Sequence, residues 1–192
     1  MKSLAGLQYR REPLCEYSLL VCPCGDILCK IEGEREHFGE SCAIEPHITI
    51  ANFQAMESME ETLIRWMRRI CLQQESFQVT LNNYSGMPPG TIYLRIQNGN
   101  PFAQLDSGLK ALSAYISSCA CPPLQLVTKP RLSVANLGSQ EMYDKALVQY
   151  SRKSFHATFE VNELLLVKRE NPFEPSKKVT VFGLPPVKAA IL

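Results

Sequence analysis

Pro46-His47-Ile48-Thr49-Ile50-Ala51-Asn52-Phe53 and Pro130-Arg131-Leu132-Ser133-Val134-Ala135-Asn136-Leu137 read as two copies of one peptide. Pro, Ala and Asn recur at matching places, Ile48 answers Leu132, Ile50 answers Val134, and Thr49 and Ser133 each bring a hydroxyl. The chemistry changes at one position, where His47 is matched by Arg131. In a strand, alternation sends Ile48 and Ile50 to one face and His47 and Thr49 to the other. The second copy divides the same way. Each strand therefore offers a basic group and a hydroxyl about 6.6 Å apart along its axis.

The likeness extends beyond the two peptides, which lie 84 positions apart. Each is followed by a helix and then a strand. The first helix is expected over Glu57 to Leu72, with Ser58 and Glu61 as a capping box and an apolar stripe of Leu63, Ile64, Met67, Ile70 and Cys71. Phe77-Gln78-Val79 follows it. The second helix is expected over Glu141 to Arg152, burying Met142, Ala146, Leu147 and Tyr150, and Phe159-Glu160-Val161 follows. A repeat of two such units implies two related lobes; a solenoid needs at least three.

The remaining elements fall between these. Tyr17 to Cys22 reads as a buried strand and Asp26 to Glu36 as a short helix. Phe77 to Leu81 alternates as a strand, and Asn82 to Gly90 is turn-rich. Thr91 to Ile96 is a further strand. Asn100-Pro101 opens a helix to about Ser118, proline suiting the first helical position. Phe155 to Lys168 is a long strand-like stretch, and Lys178 to Leu184 its hairpin partner. Asn52 and Asn136 fit the end of each motif strand. The expected organisation is a lead-in over 1–14, one bilobal domain over 15–184 and a tail over 185–192.

The chain has 192 residues, is 45% hydrophobic and 20% charged, and carries a formal net charge of +1. That is an ordinary globular composition with no strong field for a long nucleic-acid duplex. A small anion needs only local positive charge. The opening residues lack an apolar signal core, and no apolar run approaches the ~20 residues of a membrane span. A cytoplasmic protein, a monomer with no membrane association, is expected. Eight cysteines are then expected as reduced thiols packed as small hydrophobes. Cys22-Pro23-Cys24 and Cys119-Ala120-Cys121 are C-x-C pairs, tighter than the spacing of structural zinc sites. No metal or organic cofactor is called for.

If the two polar strand faces meet, one cleft holds His47, Thr49, Arg131 and Ser133. Hydroxyl and guanidinium donors suit phosphate oxygens, and an imidazole moves protons at neutral pH. A lone His-x-Thr is usually an ordinary strand face; its repetition is what makes it informative. Possible partners for His47 in proton transfer are His37, Lys129 and Tyr93. His156, on an expected strand edge, reads as a surface or packing residue.

These residues resemble the two-histidine phosphoesterases, which include the 2'-5' RNA ligase-like proteins and cyclic phosphodiesterases. The resemblance rests on the pattern His-x-Thr/Ser-hydrophobic, twice on matching strands, and on the order of elements, and it covers about Tyr17 to Leu184. The resemblance implies a duplicated α+β fold of two lobes, with antiparallel sheets around a central cleft and helices outside. It implies His47 as a catalytic acid or base, and Thr49 and Ser133 as phosphate ligands. The ligand would be an RNA end or small nucleotide carrying a phosphodiester or 2',3'-cyclic phosphate. Arg131 departs from the pattern: guanidinium stays protonated, so it can bind phosphate but not relay a proton. The alternatives are an inactive module that binds such a phosphate and a structural or interaction protein with a vestigial cleft.

Overall fold

The computed structural model describes residues 12–36, 45–97 and 101–187. The strands are β1 (Leu14–Val21), β2 (Ile48–Met56), β3 (Phe77–Met87), β4 (Thr91–Ile96), β5 (Gln125–Leu126), β6 (Arg131–Asn136), β7 (His156–Val161), β8 (Glu163–Arg169) and β9 (Lys177–Gly183). The helices are α1 (Gly25–Glu36), α2 (Glu60–Leu72), α3 (Asp106–Ser118) and α4 (Gln140–Ser151). All strands join one curled antiparallel sheet in the order β7-β3-β4-β6-β2-β1-β8-β9, with β5 beside β2. The expected α+β class holds, and the sheets of the two lobes are continuous.

That order is symmetric about its centre, where Ile48 of β2 pairs with Leu132 of β6. Moving outward, β1 corresponds to β4 and β8 to β3. The helices follow the same exchange. The ends of α1 and α4 meet where the Tyr150 hydroxyl donates to the Glu34 carbonyl at 3.3 Å and Lys153 pairs with Glu34 at 2.6 Å. On the other side α2 and α3 meet through a Trp66–Tyr115 stack and through Gly108, where an added Cβ would lie 2.8 Å from Ile70. Each helix pair thus takes one member from each repeat and covers one half of the sheet. The core between helices and sheet includes Ile48, Leu63, Leu94, Leu112, Leu132 and Ile31, all fully buried.

Several local expectations change. Phe77-Gln78-Val79 and Phe159-Glu160-Val161 are partners rather than equivalents: Phe77 pairs with Val161 and Val79 with Phe159. The stretch 155–168 is two strands divided at Asn162. Strand β3 runs through the expected turn to Met87. Ser58 does not cap a helix. Its N–H and hydroxyl both donate to the Glu12 carboxylate, at 2.9 and 2.6 Å, and a 3₁₀ turn over Glu57–Met59 leads into α2. Helix α4 buries Tyr143, Ala146 and Tyr150, leaving Met142 50% and Leu147 37% exposed. Asn52 lies inside β2, which continues to Met56, whereas Asn136 does end β6.

The thiols divide by place. Cys15, Cys71 and Cys121 are buried, Cys22 and Cys119 half-buried, and Cys24 and Cys29 exposed; Cys42 lies outside the described residues. Burial pushes the Cys71 thiol up to about 12. Among the described helices none is long and apolar enough to cross a membrane.

Candidate functional site

Antiparallel pairing of Ile48 with Leu132 places the two motif peptides side by side, so Thr49 lies beside Arg131 and His47 beside Ser133. All four line one cavity of about 260 Å³, together with Arg35, Asn52 and Val127. Arg35 reaches this wall from the last turn of α1. Ile48 and Ile50 of the first motif and Leu132 and Val134 of the second are buried, and the polar row faces the cleft. Strand alternation anchored by buried Ile48 and Leu132 is the cause.

A bulge in each copy then alters the alternation. Leu19 and Leu20 pair with Ala51 and Thr49, leaving Ile50 as the extra residue of β2. Ile92 and Tyr93 pair with Ala135 and Ser133, leaving Val134 as the extra residue of β6. Ile50 and Val134 occupy the same place in the repeat. One extra residue inverts the parity beyond it. Asn52 and Gln54 therefore join Thr49 on the cleft face, while Ala51 and Phe53 are buried. The Ser18 hydroxyl donates to Asn52 Oδ1 at 2.8 Å, and the Thr91 hydroxyl donates to Asn136 Oδ1 at 2.8 Å. The repeat thus includes a cross-strand clamp on each motif asparagine.

His47 Nδ1 lies 2.8 Å from the carbonyl oxygen of Glu45. A carbonyl only accepts, so Nδ1 carries the hydrogen and Nε2 of the neutral ring has a free lone pair. That tautomer suits a general base. The Arg131 guanidinium carbon lies 5.3 Å from the centroid of the Tyr93 ring, a cation–π contact that holds the side chain in place.

The three possible proton-transfer partners fare differently. Tyr93 lies under Arg131, and neither it nor exposed Lys129 is among the described residues of the cavity wall. His37 lies outside the described residues. His156 begins β7, paired with Asn82 of β3 at the far end of the sheet from β2. Among the described residues, no cluster of three or more His, Cys, Asp or Glu side chains could hold a metal ion.

The cavity shares wall residues with two neighbours. One of about 180 Å³ shares His47 and Thr49 and adds Glu16, Ser18 and Arg169. Beyond it a recess of about 390 Å³, also bordered by Asn52, is lined by Gln54, Gln125, Pro122 and Pro123. Glu16 and Arg169 form an ion pair within it. A cationic pocket thus adjoins a recess of amide side chains and proline faces. The Asn52–Asn136 repeat was visible in the sequence. Nothing in the sequence marked Arg35, Gln54 or Gln125, which depend on α1's placement, on the bulge and on the pairing of β5 with β2.

A family model described as the 2'-5' RNA ligase superfamily matches residues 29–172. No curated protein gives a significant match. Among solved structures, E. coli LigT in apo form aligns with a TM-score of 0.58 at 15% identity, over 91% of this chain and 99% of that one. E. coli LigT complexed with 3'-AMP aligns at 0.57 and 14% identity, over 90% and 99%. TT0787 of Thermus thermophilus aligns at 0.60 and 13% identity, over 90% and 100%. At these identities the likeness concerns the fold.

Proposed function

The chain belongs to the 2'-5' RNA ligase superfamily, and on that premise we propose that its cavity holds a phosphodiester or 2',3'-cyclic phosphate at an RNA end or on a nucleotide. The observation that carries the proposal is the convergence of His47, Thr49, Arg131 and Ser133 on one cavity. Thr49, Ser133 and Arg131 bind the phosphate oxygens, and His47 is the proton-transfer group. The complexes of E. coli LigT with 3'-AMP and with phosphate support a nucleotide or phosphate ligand.

On a 2',3'-cyclic phosphate, His47 Nε2 takes a proton from water as the water oxygen bonds to phosphorus. The bond from phosphorus to one ribose oxygen breaks, and that oxygen takes up a proton. Arg131 stabilises the charge that develops on the phosphate but cannot supply this proton. Solvent must supply it. General acid catalysis is typically worth ~10²–10⁴-fold, so turnover is slow by that margin relative to a site with two imidazoles. The nucleoside beside the phosphate occupies the amide-lined recess.

A second reading, a module that binds without turnover, is favoured by one feature. Among the described residues of the wall there is one imidazole, and a guanidinium stands in the matching place. Incubation with a 2',3'-cyclic nucleotide and with a short RNA ending in a cyclic phosphate separates the two. Turnover that disappears in His47→Ala supports hydrolysis. Binding without turnover supports the module. Neither turnover nor binding overturns both.

A further inference from the structure

We propose that this site holds a terminal phosphomonoester dianion more tightly than the phosphodiester or cyclic phosphate monoanion from which it arises. The proposal rests on the phosphate-binding reading above and concerns which phosphate the cavity prefers.

The wall contains Arg35, His47 and Arg131 and, among its described residues, no carboxylate. The acid of the adjoining recess, Glu16, is already paired with Arg169. Arg131 rests on the Tyr93 ring, which holds the guanidinium without neutralising it. Arg35 also makes contacts of its own, so Arg131 carries the argument. An imidazole in its place would be neutral above pH 7; the guanidinium keeps its charge. A terminal phosphomonoester has a second pKa near 6 and three acceptor oxygens, so at pH 8 it is a dianion. The diester or cyclic form has one charge and two unesterified oxygens. The fork of Arg131 with the hydroxyls of Thr49 and Ser133 supplies donors for three oxygens. One added unit of ligand charge within about 4 Å of a fixed guanidinium is worth tenfold or more in affinity where water is partly excluded.

Arginine at position 131 therefore favours retention of an opened end over processing of a closed or bridging phosphate. In a hydrolase this appears as slow product release. In a binding module it appears as selection of opened RNA ends.

Calorimetric titration at pH 8 tests this with three probes: a nucleoside 3'-monophosphate, its 2',3'-cyclic monophosphate and inorganic phosphate. Ligands are recovered and checked for hydrolysis, and the series is repeated in His47→Gln if any occurs. The monoester should bind about tenfold tighter than the cyclic form. The gap should vanish in Arg131→Gln and survive in part in Arg131→Lys, both checked for folding by circular dichroism. Equal or tighter binding of the cyclic form overturns the preference while leaving the phosphate site standing. A gap undiminished in Arg131→Gln overturns its assignment to Arg131. Failure of all three probes to bind overturns the site itself, and the preference with it.

Discussion

Ile48 and Leu132 face each other across the central strand pair of the sheet, and the polar residues beside them line a single cavity. A change at position 131 is therefore felt directly by whatever His47 touches. Arg131→His would place a second titratable imidazole beside the phosphate site. Turnover of 2',3'-cyclic nucleotides should rise by about 100-fold, the low end of general acid catalysis. Steady-state hydrolysis assays on wild type and variant measure it; a folded variant with no gain would sink the relay interpretation.

The amide-lined recess should contribute to binding a nucleoside and little to binding phosphate alone. Gln54 and Gln125 border the 390 Å³ recess and do not line the cavity of His47 and Arg131. Replacing both with alanine should weaken a nucleotide by about fivefold, as expected for loss of one or two neutral hydrogen bonds. Inorganic phosphate affinity should stay unchanged. Equal loss for both ligands would mean that the recess acts on the phosphate site itself.

Gly90 is a packing constraint on β6. A Cβ there would stand 2.2 Å from the carbonyl oxygen of Leu137, whose N–H donates to the Gly90 carbonyl at 2.8 Å. Neither backbone can withdraw without breaking the β4–β6 edge next to Asn136. Gly90→Ala should cost about 3 kcal/mol. For a chain of this length that lowers the melting temperature by roughly 6–12 °C, measured by thermal denaturation.

Lys168 sets an alkaline limit. Its ammonium donates to Glu57 at 2.7 Å and Glu60 at 2.9 Å, and these hydrogen bonds hold it above the usual lysine range. Glu60 also accepts from Tyr17 at 3.1 Å. A lysine pKa raised in the folded state stabilises fully below its unfolded value near 10.4 and loses that contribution as pH rises through the folded value. Chemical denaturation of wild type should therefore show a fall in stability above pH ~10.5. Lys168→Met should lower stability at pH 7 by about 2 kcal/mol and remove that part of the alkaline fall.

The twofold peptide, the alternation that turns His47, Thr49, Arg131 and Ser133 to one face, and the order of the helices and strands apart from β5 and the β7–β8 division were determined by the sequence alone. The alternation and the individual elements are local and depend on side chains one to four positions apart, while the repeat is read by matching two peptides 84 positions apart. Tertiary structure decided the rest. The matched bulges at Ile50 and Val134 appear only when β1 and β4 take their registers, and the one at Ile50 brings Asn52 and Gln54 into the cleft. Phe77-Gln78-Val79 resembles Phe159-Glu160-Val161 because each alternates, yet the two pair with each other, a choice made by sheet order. Arg35 reaches the cavity because α1 meets α4, through Glu34 and Tyr150, 116 positions apart. Tyr93 lies under Arg131 because β4 pairs with β6. Each of these depends on which distant segments pack together, and a local pattern carries no term for that.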